Sequence, residues 1–555
     1  MITGIGVSRG CAVGPAVVVH AAPGVDVAER PPSDVAAAVA LVGDVLRRVA
    51  TGLRARGQSS GDAARAVLEA DAQMALDPAL AASIEQRLRD GGGVTHAVHD
   101  AVREYSELLE SLGGYMAERV ADLHDVRDRA IALLRGMPEP GVPKFDQPSI
   151  VVADDLAPAE AALLDAATCL GLVTTHGGPT SHTAIIAAGL GIPTVVQASG
   201  LPDLEPGTLL AIDGGSGEVI IDPSRAQQDE FSARQARRAS AMVRSDAPGA
   251  TRDGHPVALL ANIGTLADAE AAALQPVEGV GLFRTEVLFL DRADEPTVEE
   301  QTAVYESVFG AFGKRRVVVR TLDAGADKPL AFADLGHEAN PALGRRGLRL
   351  GKACPGVLQT QLEALAAAYR ATGADVRVMA PMVATAQEAA WFAPKVRGLG
   401  LPKVGVMIEI PSAALRAGQV LGEVDFASLG TNDLQQYTMA ADRLDGELAD
   451  LLDPWQPAVL DVVKAACVGA SAAGKPMGVC GESAGDPGLA LVLVGLGVDS
   501  LSMAASKVPA VRTVLAAHTL QQCQALASAA LAACGPQEAR AAVFEAADPV
   551  LRDLV

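Results

Sequence analysis

The chain has 555 residues, 49% of them apolar but only 3% aromatic, and 67 acidic side chains against 45 basic ones leave a formal charge of −22. The length allows two to four domains, with cores built from Ala, Val and Leu as in parallel α/β proteins and packed helices. The acidic balance excludes a protein that grips nucleic-acid phosphates and disfavours an anionic membrane surface.

Seven cysteines without a CxxC pair point to neither a disulfide framework nor a structural zinc site. The apolar amino terminus MITGIGVSRGCAVGPAVVV lacks a basic leader and is interrupted by Arg9, so strands are expected there, not a signal peptide. No run of about 18 apolar residues is present, which predicts no membrane insertion and a cytoplasmic protein.

In chain order, the Gly-punctuated residues 1–20 predict short strands with tight turns. From about Pro32 to Arg135 apolar residues recur at helical spacing (VAAAVALVGDVLRRV, ARAVLEADAQMAL, AVREYSELLESL), and the breaks GDAA, DPAL and GGG divide the stretch into about four helices. The last of these, ERVADLHDVRDRA, carries both charge signs and is a candidate docking face. At Pro143 strand patterns return: PSIVVADDLAP, then GLVTTHGGPTSHTAIIAAGLGIPTVV as strand, Gly loop, helix and strand, then the hairpin GTLLAIDGGSGEVIID. Residues 1–20 and 143–223 therefore form one expected α/β domain interrupted by a helical insertion over 21–142, and a polar helical linker occupies 224–248.

Within residues 249–555 eight apolar strand candidates alternate with helices: VALLANIG, GVGLFRTE, RVVVRTLD, VRVMAPMV, KVGVMIEIP, FASLGTND, PMGVCGE and DSLSM. Eight such repeats over about 280 residues predict a (β/α)8 barrel, whose active site forms at the carboxyl ends of its strands. The polar strand-end residues are Arg284 with Glu286, Arg320 with Asp323, Glu409, Asn432 with Asp433, and Cys480. Any one of them alone reads equally as a rim salt bridge; five strand ends in register do not.

Glu409 and Asp433 are hard carboxylates suited to Mg²⁺, which takes one or two such ligands and fills its shell with water and substrate oxygens. Arg284, Arg320, Arg346 and Arg443 complement a small ligand of high negative charge, and a phosphorylated carboxylic acid fits both sets. Cys480, in GVCGESAG, reads either as a proton donor at a strand terminus or as a small buried hydrophobe. His182, in GGPTSHTAII, reads either as a helix cap or as a nucleophile whose transferred phosphate the helix amides, Thr180 and Ser181 would hold.

Taken together, these segments resemble Enzyme I, the phosphoenolpyruvate–protein phosphotransferase family of the bacterial sugar phosphotransferase system. GGPTSHTAIIA is similar to its phosphohistidine signature. GLFRTEVLFL, VVRTLDAGADKP, NPALGRRGLR, MIEIPSA, GTNDLQQYTMAADR and VCGESAGD are similar, in order, to its barrel motifs, and ADDLAPAE and ERVADLHDVRDRA to its amino-terminal half. The resemblance implies a swivelling phosphohistidine α/β domain with an inserted α-helical bundle that docks the phosphocarrier HPr, then a phosphoenolpyruvate-binding TIM barrel that dimerises. By resemblance His182 is phosphorylated, Arg284, Arg320, Arg346 (rather than Arg345), Asn432 and Arg443 bind phosphoenolpyruvate, Glu409 and Asp433 hold Mg²⁺, and Cys480 protonates the enolate to give pyruvate. Two departures stand out: Pro179 and Ala188 replace cationic residues common in relatives. The rival readings are a relative of pyruvate phosphate dikinase or phosphoenolpyruvate synthase without its nucleotide domain, and a Mg²⁺-dependent pyruvate aldolase or lyase.

Overall fold

A computed structural model describes residues 2–554 except 9, 20–22, 27, 59–68, 70, 113–119, 138–139, 144, 146, 155, 157, 162–163, 166, 179–181, 203, 242–245, 290–291, 326–329, 334–335, 337 and 444–445. The chain divides into two compact units, Met1–Ala236 and Arg237–Val555.

The first unit is built on an eight-stranded sheet in the order β1-β8-β7-β3-β4-β5-β6-β2. β1 (Ile2–Thr3), β2 (Ile5–Ser8) and β3 (Cys11–Val18) come from the amino terminus; β4 (Ser149–Ala153), β5 (Cys169–Thr174), β6 (Thr194–Val196), β7 (Leu209–Asp213) and β8 (Glu218–Ile221) come from beyond residue 148. β3, β4, β5 and β6 run parallel, and β3 also pairs antiparallel with β7, so distant parts of the sequence share one ladder. Between β3 and β4 the chain leaves the sheet and forms the helices Val35–Gln58, Pro78–Arg89, Val94–Leu112 and Val120–Leu134. Their apolar stripes meet in a core of Leu46, Leu53, Leu80, Ile84, Leu88, Val98, Val126 and Ile131, with Tyr105 packed partly buried against it.

The helix Arg225–Ala241 follows the sheet. Phe231 is buried against Cys11, Ala211 and Ile220, and Arg234 reaches both Asp213 and Glu218 at 3.3 Å, so this helix is anchored to the first unit along half its length.

The second unit is a closed barrel of eight parallel strands: β9 (Ala258–Ile263), β10 (Gly279–Arg284), β11 (Arg316–Arg320), β12 (Val376–Ala380), β13 (Val404–Ile408), β14 (Phe426–Leu429), β15 (Met477–Val479) and β16 (Ser500–Met503), the last pairing back onto β9. Helices cover the outside, so the strands are buried on both faces and read as continuous apolar runs. Leu282, Val318, Met379, Met407 and Phe426 fill the interior together with Cys480. Phe283 meets Tyr305 edge-on and Tyr305 stacks on Phe309, with centroids 6.1 and 6.3 Å apart.

Candidate active site at the barrel mouth

Each barrel strand ends where its side chains leave the packed interior, so residues at or just past the carboxyl ends converge on one mouth. Arg284 is the last residue of β10 and Arg320 the last of β11; Glu409 follows β13 and Cys480 follows β15. Asn432 and Asp433 lie in the first turn of the helix Thr431–Met439, one residue after β14 and Gly430.

The buried centre is a chain of alternating charges. The Arg320 guanidinium donates to Glu286 Oε1 at 2.7 Å and lies 3.1 Å from Asp323 Oδ2. Arg346 donates to both oxygens of Asp323, at 2.9 and 3.3 Å, and through its other amino group to Asp433 Oδ1 at 3.1 Å. Asp433 Oδ2 faces Arg443 at 3.7 Å. Arg320, Arg346, Asp323, Glu286, Glu409 and Asp433 are all buried. Burial opposes the Arg320 charge, but Glu286, Asp323 and Glu409 around it more than compensate and hold its pKa above the ordinary arginine value. Arg320 and Arg346 are thereby fixed in place before any ligand arrives, because each fork is matched to carboxylates.

Behind this chain runs a neutral relay. Gln361 accepts from the Leu322 amide at 2.9 Å and donates to Thr285 and Tyr305, both at 3.1 Å, while the Thr285 hydroxyl holds the Arg320 carbonyl at 3.0 Å. Polar residues this deep must be paired, and the pairing locks the ends of β10 and β11.

Two groups at this centre depart from that pattern, Arg320 Nε and one oxygen of Glu409, both buried without a hydrogen-bond partner. Glu409 Oε1 accepts from the Met382 amide at 2.6 Å, whereas Oε2 is the idle oxygen. Met382 adopts the left-handed region at φ 58°, an uncommon position for a side-chain-bearing residue, and so turns its amide onto the carboxylate. Burial first, then Asp433 and Asp323, push the Glu409 carboxyl up to about 8. A buried carboxylate with an idle oxygen, next to a second carboxylate, is the donor set a hard divalent cation takes. No group of three or more His, Cys, Asp or Glu side chains arranged around a metal occurs among the described residues. Gly430 preserves the space: a Cβ there would lie 2.5 Å from Glu409 Oε2.

Cys480 is buried, its thiol donating to the Leu429 carbonyl at 3.6 Å and its carbonyl accepting from Asn262 at 3.1 Å. Burial pushes the thiol up to about 11, so it stays protonated at neutral pH. Asn432 accepts from the Glu482 amide at 3.0 Å, and Arg284, about half exposed, reaches Glu482 Oε1 at 3.9 Å.

Of the expected site residues, Arg320, Arg346, Glu409, Asp433 and Cys480 come together in the buried mouth, and Arg284, Asn432 and Arg443 border it. His182 belongs to the other unit, where it opens the helix His182–Gly189 after the loop that follows β5. Its side chain and that of Ala188 lie outside the described residues, as do Pro179, Thr180 and Ser181 altogether. Sequence reasoning noted Glu286 and Asp323 as strand-end acids without seeing them as the counter-ions of Arg320 and Arg346. It passed over Asn262, whose only signal was an amide within an otherwise apolar run, and Gln361, which sits among other polar residues in LQTQLEAL and carries no such signal.

Comparison with known proteins decides the family. The segments 3–119, 145–217 and 238–520 match, in order, models of PEP-utilising enzymes: the N-terminal region, the mobile domain and the PEP-binding domain. A phosphoenolpyruvate-protein phosphotransferase of Streptomyces coelicolor is 51% identical over 98% of both chains. The chain belongs to the phosphoenolpyruvate-protein phosphotransferase family. A phosphoenolpyruvate-protein phosphotransferase of Haloferax volcanii is 41% identical over 82% of each chain. A solution structure of Enzyme I is 27% identical and covers 42% of this chain and 98% of its own, with a TM-score of 0.38. A phosphotransferase acting on phosphoenolpyruvate accounts for both halves of the chain, whereas a lyase confined to the barrel leaves the first 236 residues without a role.

Proposed function

We propose that His182 carries the phosphoryl group from phosphoenolpyruvate to the histidine of the phosphocarrier HPr, and that Glu409 and Asp433 hold the Mg²⁺ that assists. The observation that carries this reading is the buried charge chain from Glu286 to Asp433 beside Glu409, whose idle oxygen and arginine-rich surroundings match a small polyanion bound with a cation. Arg284, Arg320, Arg346 and Arg443 supply the cationic forks, and Asn432 an amide, for the phosphate and carboxylate of phosphoenolpyruvate. A bound Mg²⁺ supplies further neutralisation of the phosphoryl oxygens.

His182 attacks phosphorus; the N–P bond forms as the P–O bond to the enol carbon breaks, and enolpyruvate leaves. Arg320 and Arg346, already held by carboxylates, stabilise the developing charge without reorganising. Cys480, still a thiol at neutral pH, gives its proton to the methylene carbon and pyruvate forms. The amides at the start of the helix His182–Gly189 favour the phosphate once it is on the histidine. This reading has the unit that bears His182 visit both donor and acceptor, with HPr docking on the helices of residues 21–142, dimerisation through the barrel, and a cytoplasmic setting. The absence of any described helix long and apolar enough to cross a membrane is compatible with that setting.

Mass spectrometry after incubation with phosphoenolpyruvate and Mg²⁺ tests the reading. One acid-labile phosphate on the peptide containing His182, with equimolar pyruvate and passage of label to HPr, is expected. Phosphate on another peptide, or pyruvate without protein-bound phosphate, overturns it.

A further inference from the structure

Glu482 lies on the turn Glu482–Gly485 that follows β15, and its carboxylate faces two cations from different strand ends. Arg284, ending β10, approaches Oε1 at 3.9 Å; Lys507, in the turn Ala505–Lys507 after β16, approaches Oε2 at 3.6 Å. Neither pair is desolvated: the three side chains are 45%, 43% and 66% exposed for Arg284, Lys507 and Glu482. As simple surface salt bridges they would contribute little to stability.

Two further contacts tie the arrangement to the site. The lysine stem is laid along the Glu482 turn, since a Cβ on Gly485 would come within 2.5 Å of Lys507 Cδ. The Glu482 amide donates to Asn432 Oδ1 at 3.0 Å, next to Asp433. One carboxylate thus occupies two cations at the rim of a site whose buried arginines are already matched to carboxylates.

We propose that Lys507 is a further anion-binding residue of the site, and that Glu482 holds Lys507 and Arg284 as a placeholder until a ligand anion displaces it. The proposal rests on the phosphoenolpyruvate reading above and adds a contact to it. The displaced carboxylate turns to solvent, which its exposure allows, and the two cations close on the phosphate or carboxylate of the incoming ligand. Lys507 suits this use: an ammonium on a flexible stem follows a moving anion, whereas a guanidinium fork prefers a fixed planar partner. The role is one of ground-state capture at the rim, distant in chemistry from the in-line transfer, so it belongs in KM and not in kcat.

The test compares wild type, Lys507→Gln, Lys507→Arg and Glu482→Gln by calorimetric titration with phosphoenolpyruvate and Mg²⁺, alongside single-turnover phosphorylation. Lys507→Gln should weaken binding about tenfold, or 1.4 kcal/mol, with the saturating rate within about twofold. Lys507→Arg should recover most of the affinity. Glu482→Gln, which removes the competing charge, should bind the ligand more tightly than wild type. Unchanged affinity in Lys507→Gln, with wild type both binding and becoming phosphorylated, overturns the Lys507 assignment alone. Weakened affinity in Glu482→Gln overturns the placeholder role, because a carboxylate that helps binding is not one that must leave. If wild type binds the ligand and never becomes phosphorylated, the phosphotransfer reading fails, while a tenfold loss in Lys507→Gln still upholds the contact.

Discussion

Arg346 is the largest of the fully buried side chains among the described residues, and its fork joins Asp323 to Asp433. Replacing it with Met leaves two buried carboxylates without their shared cation, which should cost about 3–5 kcal/mol. Urea denaturation read on the barrel checks this; a loss below about 1 kcal/mol shows that the carboxylates reach water. Glu409 gives a pH signature. Its folded pKa, about 8, lies above the ordinary 4.5. The folded state therefore holds this proton more tightly than the unfolded chain, and its stabilising share is complete below pH 4.5 and lost as pH rises towards 8. In chelator, the denaturation midpoint should fall between pH 5 and pH 8 more steeply in wild type than in Glu409→Gln; identical slopes would mean that Glu409 is already ionised. Cys480 poses a question of chemistry, not packing. Cys480→Ala should still pass phosphate to His182 but release enolpyruvate for solvent to protonate, so in D₂O a stereospecifically labelled substrate should yield pyruvate with a racemic methyl group. Retained chirality at the wild-type rate returns the thiol to the core.

Between the residue and the fold, short elements do the placing. The turn after β14 brings Asn432 and Asp433 to the mouth and needs Gly430, since any Cβ would press on Glu409 Oε2. Gly430→Ala should lower cation affinity at least tenfold while far-ultraviolet circular dichroism stays that of wild type. Gly347, at φ 59° directly after Arg346, turns the chain where a Cβ would lie 3.2 Å from Asp323 Oδ1. In the helical insertion the stripe is redundant in chemistry but not in volume. Leu53→Ala opens a cavity in this aliphatic core and should destabilise the bundle by about 2–5 kcal/mol. Phosphoenolpyruvate binding by the barrel should not change, and a change in it would mean that the units are not energetically separate.

For the whole molecule the decisive fact is the division into residues 1–236 and 237–555, each with its own sheet and core. His182 belongs to the first and the charge chain to the second. His182→Ala should therefore abolish transfer to HPr while calorimetry still records phosphoenolpyruvate binding with wild-type affinity. Loss of binding would show that the histidine helps build the substrate site.

Much of this could be read from the sequence because periodicity and motif order are local properties. The eight apolar runs after His255 announce a barrel, and their polar termini name Arg284, Arg320, Glu409, Asp433 and Cys480, because a strand buried on both faces can tolerate polarity only where it emerges. The first-unit strands were also legible, and their shared ladder follows from patterns that resume after the helices. Pairing was not legible. That Asp323 serves both Arg320 and Arg346, that Gln361 links Thr285, Tyr305 and Leu322, and that Glu482 spans Arg284 and Lys507 depend on residues up to 223 positions apart in the chain. A carboxylate's partner, burial and proton affinity are set by what the fold brings within a few ångströms of it, so the residue types were determined by the sequence and their charge states by the tertiary structure.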